Sequence, residues 1–103
     1  MKALDALALD RLDPALEHRV RLAIAVLLAR HGEISFAAFK QQLQLTDGNL
    51  GAQLRRPEDE GYLALRRDFV ERKPVTWYSL TPGGRKALQK HLRALQAVID
   101  TAS

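Results

Sequence analysis

The chain has no cysteine among its 103 residues. That excludes a disulfide framework, a thiolate zinc site and thiol redox chemistry, and it suits a cytoplasmic location. Histidine is also scarce. His18 and His31 fall near opposite ends of one predicted helix and His91 on another, with no His-x-x-x-His pair. There is no serine or threonine elbow and no glycine-rich phosphate loop after a strand, and Gly83-Gly84 lacks the strand–loop–helix context of a nucleotide site. The carboxylates lie mainly on helix surfaces. Catalysis, a cofactor and a metal centre are therefore not expected. No apolar run approaches the length of a membrane span, and the first ten residues, MKALDALALD, carry Asp5 and Asp10 inside their apolar stretch with no small-residue cleavage site. The expectation is a cytoplasmic protein that is neither exported nor membrane-bound.

What remains is a single domain, residues 1–103, close to the size at which a dimer interface often adds to stability. Its charge is unevenly placed. Residues 62–93 carry eight basic side chains (Arg66, Arg67, Arg72, Lys73, Arg85, Lys86, Lys90, Arg93) against Asp68 and Glu71, a balance of +6. The whole chain carries +4, so the rest sums to −2. A basic half on a near-neutral body is the footprint of a phosphate-contacting surface, although a merely solvated face has the same composition.

Periodicity predicts five helical segments and a short sheet. Residues 1–12 place Leu4, Leu7, Leu9 and Leu12 between acids, an amphipathic helix. Asp13-Pro14 reads as a cap followed by a first helical residue. The helix after it lines up Leu16, Val20, Ala23, Ile24, Leu27 and Leu28, a stripe wide enough for the central core helix, and Gly32 ends it. Glu33-Ile34-Ser35 is a short linking strand. Ser35 then caps a helix anchored by Phe36, Phe39 and Leu43, with Lys40, Gln41, Gln42 and Gln44 outside.

The run from Leu45 to Arg85 carries most of the functional signal. Thr46 starts a helix with apolar anchors at Leu50 and Leu54, and Gly61 stops it. Two strand-like stretches follow, residues 62–69 and 75–80, broken at Glu71-Arg72-Lys73-Pro74. Thr81-Pro82 then opens a last helix. A helix delivered by a short turn, followed by a basic hairpin, is how a small protein sets one helix in a DNA groove and a hairpin beside it. At about 100° per residue, Gly48, Ala52, Arg55, Arg56 and Asp59 stand opposite the buried side, with Asn49 and Gly51 on the flanks and Gln53 nearer the core edge. Thr46 caps an exposed N-terminus that favours a phosphate, and Asp47 lies in its first turn. Base reading falls to Asn49, Gln53, Arg55 and Arg56, since Arg suits guanine and Asn or Gln suits adenine. Gly48, Gly51 and Ala52 let the helix lie close to a groove floor; the other reading is that the glycines only serve the turn and internal packing.

The motifs LTDGNL (residues 45–50), RKP (72–74) and LTPGGR (80–85), with Glu60-Gly61-Tyr62 and Thr76-Trp77-Tyr78 between them, resemble the MarR/ArsR-like winged helix-turn-helix transcriptional regulators. The match is to the small single-domain subgroup with LTDGNL, RKP and LTPxGR, and it runs from about Leu12 to about Leu95. The resemblance implies a mainly α fold with a small antiparallel β-sheet, a winged helix-turn-helix with extra N- and C-terminal helices. It also implies a DNA-binding regulator. Metal sensing through thiolates, common among ArsR-like relatives, is excluded by the missing cysteine. Two departures stand out. Pro57 replaces a usual leucine and should kink the helix or restart it there, at a local cost of roughly 3 kcal/mol. Gly51 and Gln53 stand where relatives often carry Ser and His, so an operator preference does not transfer.

Arg72, Lys73 and Pro74 read as a stiff cationic turn suited to backbone or minor-groove contact. Alternation points Trp77 and Tyr78 to opposite faces, and Trp77 is expected in the core rather than stacking on a base. The last helix, residues 81–100, spaces Leu88, Leu92, Leu95 and Ile99 at four-three-four, a seam for a second copy, with Leu4 and Leu7 available to join it. The expected partners are thus double-stranded DNA and the chain itself as a homodimer, with no membrane; no pattern points to a small-molecule effector. The alternative is a winged-helix protein–protein interaction module without sequence-specific DNA binding, which the small residues of the recognition helix and Pro57 favour.

Overall fold

The computed structural model describes residues 9–103. Residues 1–8, with Leu4 and Leu7, lie outside the described residues; of the helix expected over residues 1–12, Leu9 and Asp10 are helical. Among the described residues the order is α1 (Arg19–His31), β1 (Glu33–Ser35), α2 (Phe36–Leu43), α3 (Asp47–Asp59), β2 (Leu63–Val70), β3 (Lys73–Leu80) and α4 (Pro82–Ala102). The three strands form one antiparallel sheet in the order β1-β3-β2. This is the mainly α winged helix-turn-helix class expected from the sequence. None of the described helices is long and apolar enough to cross a membrane.

Local chemistry sets most boundaries. Ser35, Thr46 and Thr81 each accept a hydrogen bond from the amide three residues on, at 3.1, 3.1 and 2.9 Å, and so satisfy one of the free amides that open α2, α3 and α4. Gly32, at φ +84°, ends α1. One start differs from expectation. Asp13 does not open the long helix: its carboxylate caps only the Ala15 amide at 2.9 Å, closing a single turn, and the chain restarts with His18, whose Nδ1 accepts from Val20 at 3.1 Å. The turn is held from outside, because Arg21 donates to the carbonyls of Ala15 and Pro14. Leu16 reaches the core all the same.

At Pro57 the expected restart does not occur. The helix α3 neither ends nor restarts there but runs through to Asp59. Pro57 is buried with Leu50 and Leu54, and its carbonyl accepts the Tyr62 amide at 2.9 Å while the Gly61 amide reaches Glu58 O at 2.9 Å. With Gly61 at φ +77°, these two bonds make a Schellman closure. The closure and the buried ring hold the last turn that the lost amide of Pro57 would otherwise loosen.

The core gathers Ile24, Leu28, Ile34, Phe39, Leu50, Leu54, Leu63, Tyr78, Leu80 and Leu88. Tyr78, not Trp77, takes the core side of β3. Its cross-strand neighbours are Ile34 and Leu65, and it meets Phe39 edge-on at 6.2 Å, whereas Trp77 pairs with Ser35 and Arg66 on the outer face. The face whose cross-strand pairs are apolar on both sides goes inward.

Candidate nucleic-acid interface

The helix α3 packs on α1, α2 and β2, which leaves Thr46, Asp47, Gly48, Asn49, Ala52, Arg55 and Arg56 exposed along one side. Several of these side chains are already engaged. Asp47 pairs with Lys40 of α2 at 2.8 Å, which offsets an acidic charge at the end of α3 where the amides favour an anion. Arg56 turns along its own helix to Glu60 at 3.3 Å. Gln53 is half-buried, and its Oε1 accepts from Arg21 at 3.2 Å. Of the four candidate base readers, Asn49 and Arg55 therefore have side chains with no hydrogen bond or ion pair among the described residues.

The glycines of this helix are informative. A Cβ placed on Gly48 or Gly51 would meet nothing within 4 Å, and neither residue has a positive φ. Internal packing does not require them. Gly51, in the interior of the helix, costs it about 0.5–1 kcal/mol relative to alanine, and Gly48, in the first turn, costs less.

The hairpin beside α3 is tighter than expected. Glu71 and Arg72 alone form the turn, both with positive φ (52° and 67°), the two-residue geometry whose twist matches the flanking strands. Lys73 and Pro74 already belong to β3, opposite Val70 and Phe69. In such a hairpin the pair next to the turn exchanges both hydrogen bonds. Pro74 thus falls at the following, unbonded position toward β2, and its missing N–H faces an edge that β1, reaching only as far as Trp77, does not cover.

The cations of the hairpin divide by face. On the outer face Arg66 is held by Glu33 at 2.7 Å and Asp68 at 3.0 Å, and lies 5.5 Å over the Trp77 ring. The Arg66 hydrogen bond holds the Glu33 carboxyl below its usual range; the Phe69 amide, then Arg66, does the same for Asp68. Arg66 is therefore neutralised in place, and the Trp77 Nε1 beside it is buried without a hydrogen-bond partner. Arg67, Arg72 and Lys73 are exposed and unpaired among the described residues. Arg67 counts in the basic half of the sequence but is not singled out there as a contact, although its spacing from Leu63 and Leu65 places it on their face.

The hairpin and α4 are riveted to the end of α3. Thr81 donates its hydroxyl to Gly61 O at 2.7 Å and its amide to Tyr62 O at 3.0 Å. Tyr62 donates its hydroxyl to Asp13 at 2.5 Å, and the Asp13 amide donates to Nδ1 of the buried His91 at 2.8 Å. Burial first, then the Asp13 carboxylate, pushes the Tyr62 hydroxyl up to about 12.

A family model described as a winged helix DNA-binding domain matches residues 20–99. The chain belongs to this family. It is a DNA-binding family rather than a catalytic one. Among individual proteins, the winged helix is similar to the uncharacterized protein MJ0432 of Methanocaldococcus jannaschii, 30% identical over 73 residues that span 71% of this chain and 79% of that protein. The transcriptional regulator homologue from Pyrococcus horikoshii OT3 superposes with a TM-score of 0.80 at 30% identity, over 86% of this chain and 88% of that one. Bacillus subtilis PadR, solved in complex with operator DNA, shares the fold at a TM-score of 0.59 and 24% identity, over 68% of this chain and 45% of PadR.

Proposed function

We propose that the protein is a homodimeric transcriptional regulator that sets α3 in the major groove and lays the Arg72–Lys73 wing on the backbone or in the minor groove. The observation that carries this reading is the pair Gly48 and Gly51. Two glycines sit inside a helix, at the cost of helical stability, where neither backbone conformation nor neighbouring atoms call for them. A surface from outside the chain that approaches the backbone closely accounts for both, and a groove floor is such a surface. The same observation weighs against glycines retained for internal packing. What favours DNA over the protein-interaction alternative is the unpaired cations of the wing, Arg67, Arg72 and Lys73. In this reading Thr46 and the first-turn amides hold a phosphate, Asn49 and Arg55 read base edges, and Arg72 and Lys73 position the duplex. Asp47, Gln53 and Arg56 support that face through their own contacts with Lys40, Arg21 and Glu60.

The test is competition binding of the purified protein to random and selected duplexes at two salt concentrations. Replacing Arg72 and Lys73 together by Ala should weaken binding to every sequence and flatten the salt slope by about two per subunit, at about 0.9 per phosphate contact. Arg55→Ala should cost about 1–3 kcal/mol on the selected site and little on random DNA. A wild-type protein with no salt-dependent duplex binding ends the regulator reading and leaves the interaction module in its place.

A further inference from the structure

The face of the hairpin that packs on the core continues outward after the core has ended. Along β2 it runs from Leu63, 7% exposed, through Leu65 at 38% and the exposed Arg67 to Phe69 at 72%. Across from Phe69 stands Pro74, also exposed, and next to it Val70 is 48% exposed on the opposite face. No described residue covers the Phe69 ring. It is the most exposed large apolar side chain among the described residues, and it sits at the end of a hairpin whose rigid two-residue turn and Pro74 hold it in place.

Its surroundings are cationic. Arg67 precedes it by two on the same face, Arg72 sits in the turn, and Lys73, paired with Val70, lies on the opposite face, all three without an ion-pair partner among the described residues. Glu71 supplies the single unpaired acid at the tip, since Asp68 is engaged by Arg66. An apolar side chain at a hairpin tip that carries free cations on both faces does not suit a hydrophobic protein partner, which would have to desolvate them. It suits a polyanion that also offers a flat apolar surface. Stacked bases flanked by phosphates are that surface, and apolar wedges entering between base steps from the minor groove are a known device for bending duplexes.

We propose that Phe69 is a wedge residue: the wing enters the minor groove and places the Phe69 ring against a base step, unstacking it and bending the duplex, while Arg67, Arg72 and Lys73 hold the flanking phosphates. This rests on the DNA-binding reading above and adds to it a mechanical role and a preference for flexible pyrimidine–purine steps, where unstacking costs least. Phe69 is a contact residue in this scheme, and the positions read by α3 are separate from the step it opens.

The probe is an alternating A·T duplex with 2-aminopurine replacing scattered adenines, whose fluorescence rises when a base unstacks. A dye pair at the ends of the same duplex reports bending. Wild-type protein should raise the 2-aminopurine signal and shorten the end-to-end distance. Phe69→Ser should abolish both while leaving the salt slope of binding unchanged, and Phe69→Leu should restore most of both. Because Phe69 is exposed, the serine variant should melt as the wild type does. If wild-type protein binds with no change in either signal, or if Phe69→Ser changes them as much as wild type, the wedge is overturned and the DNA-binding reading stands. If Phe69→Ser instead lowers self-association in sedimentation, the ring belongs to a contact between copies and the wedge is likewise overturned. If no duplex binds at any salt concentration, both readings fall together.

Discussion

Gly84 and Gly48 are both glycines near helix starts, and the structure gives them opposite meanings. At Gly84 a Cβ would stand 2.2 Å from the Tyr62 carbonyl oxygen and 3.0 Å from its carbonyl carbon, so α4 can reach the end of α3 only because that side chain is missing. The obstacle is backbone, and this same carbonyl accepts the Thr81 amide. Gly84→Ala should therefore separate the two elements and destabilise the protein by about 3 kcal/mol, at the upper end of what overpacking costs, as measured by urea unfolding. Gly48→Ala meets open space and should do the reverse, adding at most about 0.5 kcal/mol of stability at this first-turn position while weakening duplex binding. A Gly48→Ala protein that is more stable and binds DNA undiminished would remove the observation on which the proposed function rests.

At the scale of elements, the wing offers its own reporter. Trp77 is the single tryptophan, and it lies under an arginine held by two carboxylates, so its emission reads the state of the outer sheet face. Glu33 and Asp68 both titrate below their ordinary values of 4.5 and 3.8 in the folded protein. A lowered carboxylate contributes in full above its ordinary value and loses the contribution as pH falls through the folded one. Trp77 emission should thus hold steady down to about pH 4.5 and change below it, before the far-ultraviolet signal of the helices is lost; both groups are exposed, so the effect on overall stability is small. An emission change that begins well above pH 4.5 would show that Arg66 is not held by these carboxylates. The caps at Ser35, Thr46 and Thr81 and the stop at Gly61 were legible in the sequence, because each depends on residues within one turn of it. What was not legible depends on neighbours distant in sequence. Alternation separates Trp77 from Tyr78 but does not say which goes inward; pairing with Ile34 decides that. Pro57 reads as a break until the Tyr62 amide closes on its carbonyl. Gln53 and Arg66 read as free polar groups until Arg21 and Glu33 are brought to them.

Taken whole, the described fold is longer than its core. Its extents are 59 × 26 × 21 Å and its radius of gyration is 15.5 Å, against about 13 Å for a compact domain of a hundred residues. The core leaves the second half of α4 largely outside it. The helix is buried at Gly84, Leu88, His91 and Ala94, and nothing beyond Ala94 is buried. Leu88, expected in a seam between copies, lies instead in the core of its own subunit at 4% exposure and is not available to a partner. The candidate seam therefore moves along the helix to Leu92 at 42% exposure, the half-buried Leu95 and Ile99 at 55%, one apolar stripe along the second half of the helix. That shift sharpens the test of assembly. Because Leu92 is open to solvent in one subunit, Leu92→Glu should leave the thermal unfolding of the monomer unit intact while moving light scattering from dimer toward monomer at micromolar concentration. It should also weaken binding to a two-fold site far more than binding to a single half-site, since a dimer couples two half-site contacts that a monomer makes one at a time. A wild-type protein that scatters as a monomer at concentrations where it occupies DNA would remove the dimer and with it the two-fold operator, leaving the groove contacts of α3 to be tested on half-sites alone.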